Sequence, residues 1–187
     1  MRLNAEAMLA LGEKIQDRIL SSTTHWNNEL VASFSGRWRE AREFSDRGLA
    51  AAPHDARLLG TRAILECQVG DFVKAQVYAE RLVEVMRLGQ PGPTLEYTYC
   101  ALSIPVVASF TGDLGQLDVA REAAEVVISS STATPNLAAG ARSGLAVMAL
   151  LQNDVEGAGQ QYAALQATRG TVMRNGSVTD RLLGQLA

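Results

Sequence analysis

The chain contains few residues that could build a covalent or metal-bound framework. Its 187 residues include two cysteines, Cys67 and Cys100, and two histidines, His25 and His54. Each cysteine lies in an apolar stretch, which predicts a buried free thiol, and their spacing indicates no disulfide. Neither histidine has a partner at the spacing of metal ligands. We therefore expect no metal and no cofactor.

Runs of one charge sign and long apolar runs are also missing. Charged residues make up 20% of the chain, the formal net charge is −3, and the 17 Lys and Arg residues are scattered. Nucleic-acid-binding surfaces usually cluster basic side chains, so we expect no nucleic-acid binding by this segment. No stretch approaches the roughly 18 consecutive apolar residues of a membrane helix, and the N-terminus has no apolar signal core. We expect a cytoplasmic protein that does not enter membranes.

Motifs of catalysis are equally scarce. Nothing in the chain matches the phosphate-binding loop G-x-x-x-x-G-K-S/T, and no serine occupies a strand-to-helix elbow. Glu40 with Glu43, and Glu122 with Glu125, are three residues apart, a spacing typical of a solvated helix face. We therefore predict that the chain is not an enzyme. An enzyme on a helical scaffold would require a cavity where polar groups with perturbed pKa values converge.

What the chain does contain is a repeat of 34 residues. A glycine, an aromatic residue two places later and an alanine five places later all recur at this distance. The matched residues are Gly36 and Gly70, Trp38 and Phe72, and Ala41 and Ala75. Such a period with helical patterning indicates an array of helix–turn–helix units, in which each unit buries its apolar face against its neighbours.

Apolar spacing and helix-breaking residues divide the chain into about ten helices and no strand. The predicted helices span about 2–18, 21–34, 38–52, 55–69, 72–86, 94–110, 117–127, 136–152, 155–165 and 179–187. Ser21 to Thr24, Asp55 and Thr94 are the predicted N-caps. Pro105 lies inside the sixth helix, where it should kink the helix or free a carbonyl. With the loop 89–93, it marks either an inserted segment, which we favour, or a hinge.

The two later turns are less regular than the first two. We align Gly115 and Asn153 with Gly36 and Gly70. In this alignment the first residue of each second helix should plug the gap within its unit, and an alanine three places later should mark a close helix approach. The first set is Trp38, Phe72, Leu117 and Val155, and the second is Ala41, Ala75, Ala120 and Ala158.

We predict one domain, 1–187, built from tandem antiparallel helix hairpins. Its units span roughly 1–20 (partial), 21–53, 54–90, 91–133, 134–170 and 171–187 (partial). Because both ends are partial units, Leu182, Leu183 and Leu186 should lack a capping partner. This predicts a piece of a longer array and self-association through uncapped ends.

The pattern resembles the tetratricopeptide repeat (TPR) family. The matching residues are Gly36, Trp38, Ala41 and Pro53, then Ala63, Gly70, Asp71, Phe72, Ala75 and Ala79, then Gly115, Leu117 and Ala120, and finally Ala146, Asn153, Asp154, Val155 and Ala158. Asn28 and Glu29 depart from the family's Leu-Gly, and Pro105 is a second departure. The resemblance implies an all-α, right-handed superhelix, a TPR-like α-solenoid, that binds a protein or peptide in a concave groove without catalysis.

A narrower resemblance suggests an alternative. The segments 55–63, 91–97 and 180–187 are similar to the C-terminal helical arrays of large bacterial signalling ATPases of the AAA type. Those proteins carry an adenylate/guanylate cyclase domain or a LuxR-like DNA-binding domain. The resemblance implies a sensory or regulatory fragment of such a protein, acting in signal transduction.

Helical phase assigns eight residues to the lining of the expected groove. They are Trp26, Phe34, Arg57, Thr61, Ile64, Gln68, Tyr97 and Tyr99. For Trp26 and Phe34 a place in the core between helices is the competing interpretation, although exposed aromatic residues are favoured anchors. Reading a terminal carboxylate requires Lys and Asn at set places on successive first helices, and only Arg57 and Asn27 are available. That binding mode is therefore disfavoured.

Overall fold

The structure is a computed structural model that describes residues 18–170 and 179–187. Within these ranges it is all-helical, with no strand and one short 3₁₀ turn at Gln166–Thr168. The nine α-helices described are α1 (Arg18–Phe34), α2 (Trp38–Ala51), α3 (Ala56–Gln68), α4 (Phe72–Leu88), α5 (Leu95–Thr111), α6 (Leu117–Ser129), α7 (Pro135–Gln152), α8 (Val155–Leu165) and α9 (Thr179–Leu186). Residues 2–17 of the first predicted helix, and most of the loop predicted after Arg169, lie outside the described residues.

The predicted caps at Asp55 and Thr94 are confirmed. The Asp55 side chain accepts from the Arg57 backbone N–H before α3, and the Thr94 hydroxyl accepts from the Tyr97 N–H before α5. Each cap satisfies one of the N–H groups that have no partner within the first helical turn. These polar residues therefore fix where the helices begin.

The predicted helix start at Ser21–Thr24 is wrong. Helix α1 runs through this segment without a break. The Thr24 hydroxyl donates to the carbonyl of Leu20, one turn earlier, at 2.7 Å, and the Ser22 hydroxyl donates to Asp55 at 2.6 Å. Hydroxyl side chains stay inside a helix when they find acceptors there or on a neighbour.

A backbone turn of one kind ends α1, α3, α5 and α7. Each of these helices is followed by a residue with positive φ: Gly36 (70°), Gly70 (84°), Gly112 (74°) and Asn153 (54°). Glycine adopts this left-handed conformation most readily, and asparagine is among the few other residues that tolerate it. The equivalent of Gly36 and Gly70 in the third hairpin is therefore Gly112, and the alignment of Gly115 with them is wrong.

Three of these turns close with the same hydrogen bond. The N–H after the left-handed residue donates five residues back, from Arg37 to Ala32, from Asp71 to Glu66 and from Asp154 to Ala149, each at 2.9 Å. This bond is that of the Schellman motif. At the Gly112 turn the N–H of Gly112 itself donates to Ala108, at 2.8 Å, and the N–H of Asp113 donates to the Thr111 hydroxyl, at 3.2 Å. Three extra residues separate Gly112 from the start of α6. Gly112 and Gly115 both follow the apolar helix α5 within four residues. The sequence pattern therefore does not distinguish them, and only the backbone conformation does.

Each helix packs mainly against helices close to it in the chain. Consecutive helices joined by the turns pair as α1 with α2, α3 with α4, α5 with α6, and α7 with α8. The odd-numbered helices also contact one another in succession, α1 with α3, α3 with α5, α5 with α7, and α7 with α9. Short connections between packed helices give antiparallel neighbours. The odd-numbered helices thus form a continuous row.

Small residues lie where the hairpins close, as predicted for three of the four units. Ala41, Ala75 and Ala120 are fully buried, whereas Ala158 is half-buried. The prediction that the first residue of each second helix plugs a gap holds for Leu117, which is buried. It is wrong for Val155, which is 85% exposed, and only partly right for Trp38 and Phe72, which are 38% and 44% exposed. Val155 opens α8, which within residues 18–170 and 179–187 packs mainly against α7 and the short α9.

Pro105 lies buried inside α5, which continues to Thr111. Because proline has no N–H, the carbonyl of Ala101 one turn earlier loses its helical donor. Helix α7 passes this carbonyl at Gly144, where an added Cβ atom would lie 1.9 Å from the Ala101 oxygen. Pro105 thus lies one turn after the point where the backbones of α5 and α7 come into contact.

Candidate binding groove

The odd-numbered helices line a cavity of about 370 Å³, which we call the main cavity. Four helices contribute to it in order along the row: α3, α5, α7 and α9. Its lining residues are Ile64, Gln68, Val106, Ser109, Phe110, Ser143, Val147, Leu150, Leu151, Arg181, Leu182 and Gln185. A site of this volume is in the range that proteins use for ligands and anchoring side chains.

The lining of the main cavity combines apolar and polar side chains. Phe110 is 47% exposed, and Val147 and Leu150 are half-buried, so these apolar groups can be reached by an occupant. Gln68 and Gln185 are exposed beside them. Arg181 is the one charged side chain of this lining, and it has no ion pair within residues 18–170 and 179–187. The cavity thus offers apolar surface next to hydrogen-bonding groups.

A second cavity of about 40 Å³ lies between α1 and α3 and adjoins the main cavity. We call it the side cavity. The two cavities share Ile64 and Gln68 in their linings. The side cavity is otherwise lined by Glu29, Leu30, Ser33, Phe34, Thr61 and Leu65. We call the two cavities together the groove.

The side cavity contains a buried carboxyl group. Glu29 is 1% exposed, and its Oε2 accepts a hydrogen bond from the Thr61 hydroxyl at 2.9 Å. Burial raises the pKa of Glu29 from 4.5 to about 8, because a charged carboxylate loses its hydration there. The Thr61 hydrogen bond and the positive charge of Arg62 oppose this rise, and the negative charge of Asp55 adds to it.

The turn pattern explains why a carboxyl group is unexpected at this place. Glu29 lies seven residues before the left-handed Gly36, as Ala63 does before Gly70 and Ala146 before Asn153. Ala63 and Ala146 are both fully buried. The equivalent residue before Gly112 is Pro105. The two departures from the repeat pattern therefore occupy one structural position, next to the neighbouring odd-numbered helix.

Four of the eight residues assigned to the groove from the sequence do line it. Ile64 and Gln68 lie between the two cavities, and Phe34 and Thr61 line the side cavity. Thr61 is buried, and its hydroxyl also reaches the carbonyl of Arg57 at 2.9 Å. Its part in the groove is therefore to hold Glu29. That these residues bind a partner stays a prediction.

The other four residues line neither cavity. Tyr99 is fully buried, where its ring lies against Gly60, so its assignment to the groove is wrong. Tyr97 and Trp26 are half-buried and pack against the main core. Tyr97 lies nine residues before Val106, about 13 Å along the helix axis. The groove uses the C-terminal half of α5 and not this end.

Arg57 is occupied by contacts near the start of α3. Its guanidinium donates to Asp55 at 2.6 Å and to the hydroxyls of Ser22 and Thr23 at 3.2 and 3.1 Å. Its Cζ lies 5.4 Å from the ring centroid of Trp26. These contacts tie the start of α3 to α1, away from the two cavities of the groove.

Sequence reasoning missed the part of the groove formed by α5, α7 and α9. Val106, Ser109 and Phe110 follow the i, i+3, i+4 spacing of one helix face, as do Val147, Leu150 and Leu151. This spacing was the available signal. It does not distinguish the face that lines a cavity from the face that enters the core.

A buried network of ion pairs fixes α3 against α2 beside the groove. Arg62 contacts Glu66 at 2.5 Å and Asp46 at 2.7 Å, and Arg42 donates to both oxygens of Glu66. Glu66 is fully buried. The charges compensate one another, as buried charges require.

The remaining reactive groups lie outside the groove. Cys67 and Cys100 are buried free thiols, as predicted, and burial raises their pKa values to about 11 and about 12. In the parts of the chain that the structure describes, no three His, Cys, Asp or Glu side chains are placed to hold a metal ion. In the same parts, no helix combines the length and apolar character needed to cross a bilayer. Comparisons with protein-family models, curated proteins and solved structures found no match to this chain.

Proposed function

We propose that this chain is a TPR-like α-solenoid that holds a peptide or protein segment in the groove and catalyses no reaction. The observation that carries the proposal is the groove itself, lined in succession by α1, α3, α5, α7 and α9. Its apolar side chains stand beside glutamines and serines that can bond to a peptide backbone. Grooves of this composition suit an extended or helical segment with one or two apolar anchors.

The repeated turn and the packing order support the solenoid part of the proposal. The left-handed residue recurs at the end of α1, α3, α5 and α7, and each helix packs against near neighbours in the chain. In a solenoid each unit contacts only the units beside it, and one helix from each unit lines a continuous surface.

The chemistry of the lining favours binding over catalysis. In the main cavity the polar side chains are amides, hydroxyls and one guanidinium, which recognise a ligand but do not form an acid–base pair. Glu29 has the raised pKa that catalytic carboxyls often have. Its hydrogen bond, however, goes to Thr61, a threonine that is itself bonded to the backbone.

Selection from a displayed library of random 12-residue peptides would test the proposed function. Affinities of the enriched peptides would be measured by fluorescence anisotropy on the wild-type protein and on two matched variants. Phe110→Ala removes an apolar side chain of the groove. Phe72→Ala removes an equally large ring of similar exposure, 44% against 47%, that lines neither cavity of the groove.

We expect Phe110→Ala to weaken binding by about tenfold, as loss of an interface anchor does, and Phe72→Ala to change it less than about twofold. Equal losses in both variants would place the binding surface elsewhere. A selection that returns no peptide sensitive to Phe110 would also contradict the proposal.

A further inference from the structure

The side cavity presents a carboxyl group that no cation of the described residues neutralises directly. On α3, Arg62 pairs with Glu66 and Asp46, and Arg57 pairs with Asp55. On α2, Arg42 pairs with Glu66. The hydrogen bond to Glu29 comes from the neutral hydroxyl of Thr61. Glu29 therefore lies close to charged groups whose bonds are directed to other partners.

The shape of the side cavity restricts what can reach this carboxyl. The space that the centres of water molecules can occupy in it is about 40 Å³, roughly a tenth of the 370 Å³ of the main cavity measured in the same way. Leu30, Ile64 and Leu65 supply apolar walls along it. A slender aliphatic chain with a small polar head suits this narrow cavity, whereas a ring or a branched side chain suits the wider main cavity.

Charge points to the same kind of head group. An ammonium ion placed against Glu29 would allow the carboxylate to ionise and would form charge-assisted hydrogen bonds with it. Arg181, at the other end of the groove on α9, would repel a cation from that end.

We propose that the side cavity is a subsite for a lysine side chain of the segment held in the groove, with its ammonium group bound to Glu29. The proposal rests on the proposed function, because the lysine belongs to the bound segment. The main cavity then takes an apolar side chain of the same segment, on the far side of Ile64 and Gln68. The ligand class is thus a segment with a lysine next to an apolar anchor.

Binding of the ammonium group displaces a proton from Glu29 to the solvent. Because the pKa of Glu29 is about 8 in the empty groove, the carboxyl is largely protonated at pH 6. The affinity for an amine should therefore rise as the pH rises to about 8. It should then stay level until the amine itself loses its proton near its pKa of about 10.4.

Small probes test the subsite without any peptide. The side-chain methyl group of Ile64, which lines both cavities, would be observed by NMR in isoleucine-methyl-labelled protein. The probes are n-pentylammonium, 1-pentanol and pentanoate, at pH 6 and pH 8. We expect the dissociation constant of n-pentylammonium to fall by at least about tenfold between these pH values. We expect weaker, pH-independent binding of pentanol and no binding of pentanoate.

Two matched variants test whether Glu29 causes the preference for the amine and its pH dependence. Glu29→Gln keeps the size of the side chain and an acceptor for Thr61 but cannot ionise, so it should abolish the preference for the amine and its pH dependence. Glu43→Gln makes the same change on α2, where Glu43 forms only an exposed ion pair with Arg39 at 3.8 Å, and should leave both unchanged. Equal binding of amine and alcohol by the wild type, or an unaltered preference in Glu29→Gln, would overturn the proposal.

A further pair of probes separates a lysine from a terminal amine. Nα-acetyl-lysine amide carries its ammonium on a four-carbon stem, whereas leucine amide carries it only on the α-carbon. We expect the lysine derivative to shift the Ile64 signal with the same pH dependence and leucine amide to have no effect. Equal binding of both would overturn the assignment to lysine. Loss of peptide binding with intact amine binding would contradict only the proposed function.

Discussion

The contacts between α1 and α3 and between α5 and α7 occupy equivalent places in the row but use opposite chemistry. All three buried charged side chains of the described residues, Glu29, Arg62 and Glu66, lie on α1 and α3. Between α5 and α7 the approach depends on glycine, because Gly144 lies against the backbone of Ala101. Equivalent contacts between odd-numbered helices can therefore be made by a buried polar pair, Glu29 with Thr61, or by a glycine that lets two backbones approach.

The two solutions have different physical consequences. A contact between backbones depends on shape, and it is insensitive to pH. A buried carboxyl depends on its protonation state and on the groups that compensate nearby charges. We expect the α1–α3 region to respond to solution conditions and the α5–α7 region to respond only to changes of side-chain volume.

The largest effect is expected at the buried ion pairs of α3. Glu66→Ala would leave Arg62 buried without its closest partner, which should lower the free energy of unfolding by about 3–5 kcal/mol. Urea unfolding followed by far-UV circular dichroism would measure it. As a control, Glu40→Ala removes an exposed ion pair with Arg37 and should cost less than about 1 kcal/mol. Similar costs for both variants would mean that burial does not govern the network.

The next largest effect is expected at the backbone contact of α7. Gly144→Ala places a Cβ atom 1.9 Å from the Ala101 carbonyl oxygen, so it should destabilise the fold by about 1–3 kcal/mol although alanine favours helices. Gly140→Ala, one turn earlier, meets only the Thr98 methyl group at 3.0 Å and should change stability by less than about 1 kcal/mol. The same unfolding measurement applies, and equal costs at both glycines would refute a backbone clash as the cause.

The smallest effect is expected for Glu29, as a change in the free energy of unfolding when the pH changes by one unit. The pKa of Glu29 is raised to about 8 in the folded state from 4.5, so between these values the folded protein binds more protons than the unfolded chain. The free energy of unfolding should therefore fall as the pH rises, by about 1 kcal/mol between pH 6 and pH 7. Glu29→Gln should flatten this dependence, whereas Glu43→Gln should keep it. A wild-type curve as flat as that of Glu29→Gln would show that Glu29 ionises freely in the fold.

Much of the helix layout could be predicted from local signals. Asp55 and Thr94 cap their helices through hydrogen bonds to residues two or three places away, and such short-range chemistry can be read from the sequence. The continuation of α1 through Ser21–Thr24 could not be predicted in this way, because the acceptors of Ser22 and Thr24 include a residue 33 places away. The same residue types cap one helix and continue another.

The candidate groove was predictable only in part, because its walls come from helices distant in sequence. Ile64 and Gln68 were found from the phase of α3, but α9 contributes residues more than 110 places further along the chain, and no local signal relates it to α3. The burial of Glu29 had no local signal, since its hydrogen-bond partner Thr61 is 32 residues away. An acidic residue on a helix face ordinarily predicts exposure to solvent.

The two thiols give the protein a further property, resistance to oxidants and alkylating reagents. Only the thiolate form of cysteine attacks such reagents, and Cys67 and Cys100 hold their protons far above neutral pH. As long as the fold is intact, neither sulfur reacts appreciably with hydrogen peroxide or iodoacetamide. The onset of labelling would therefore show when local unfolding exposes Cys67 on α3 or Cys100 on α5 to solvent.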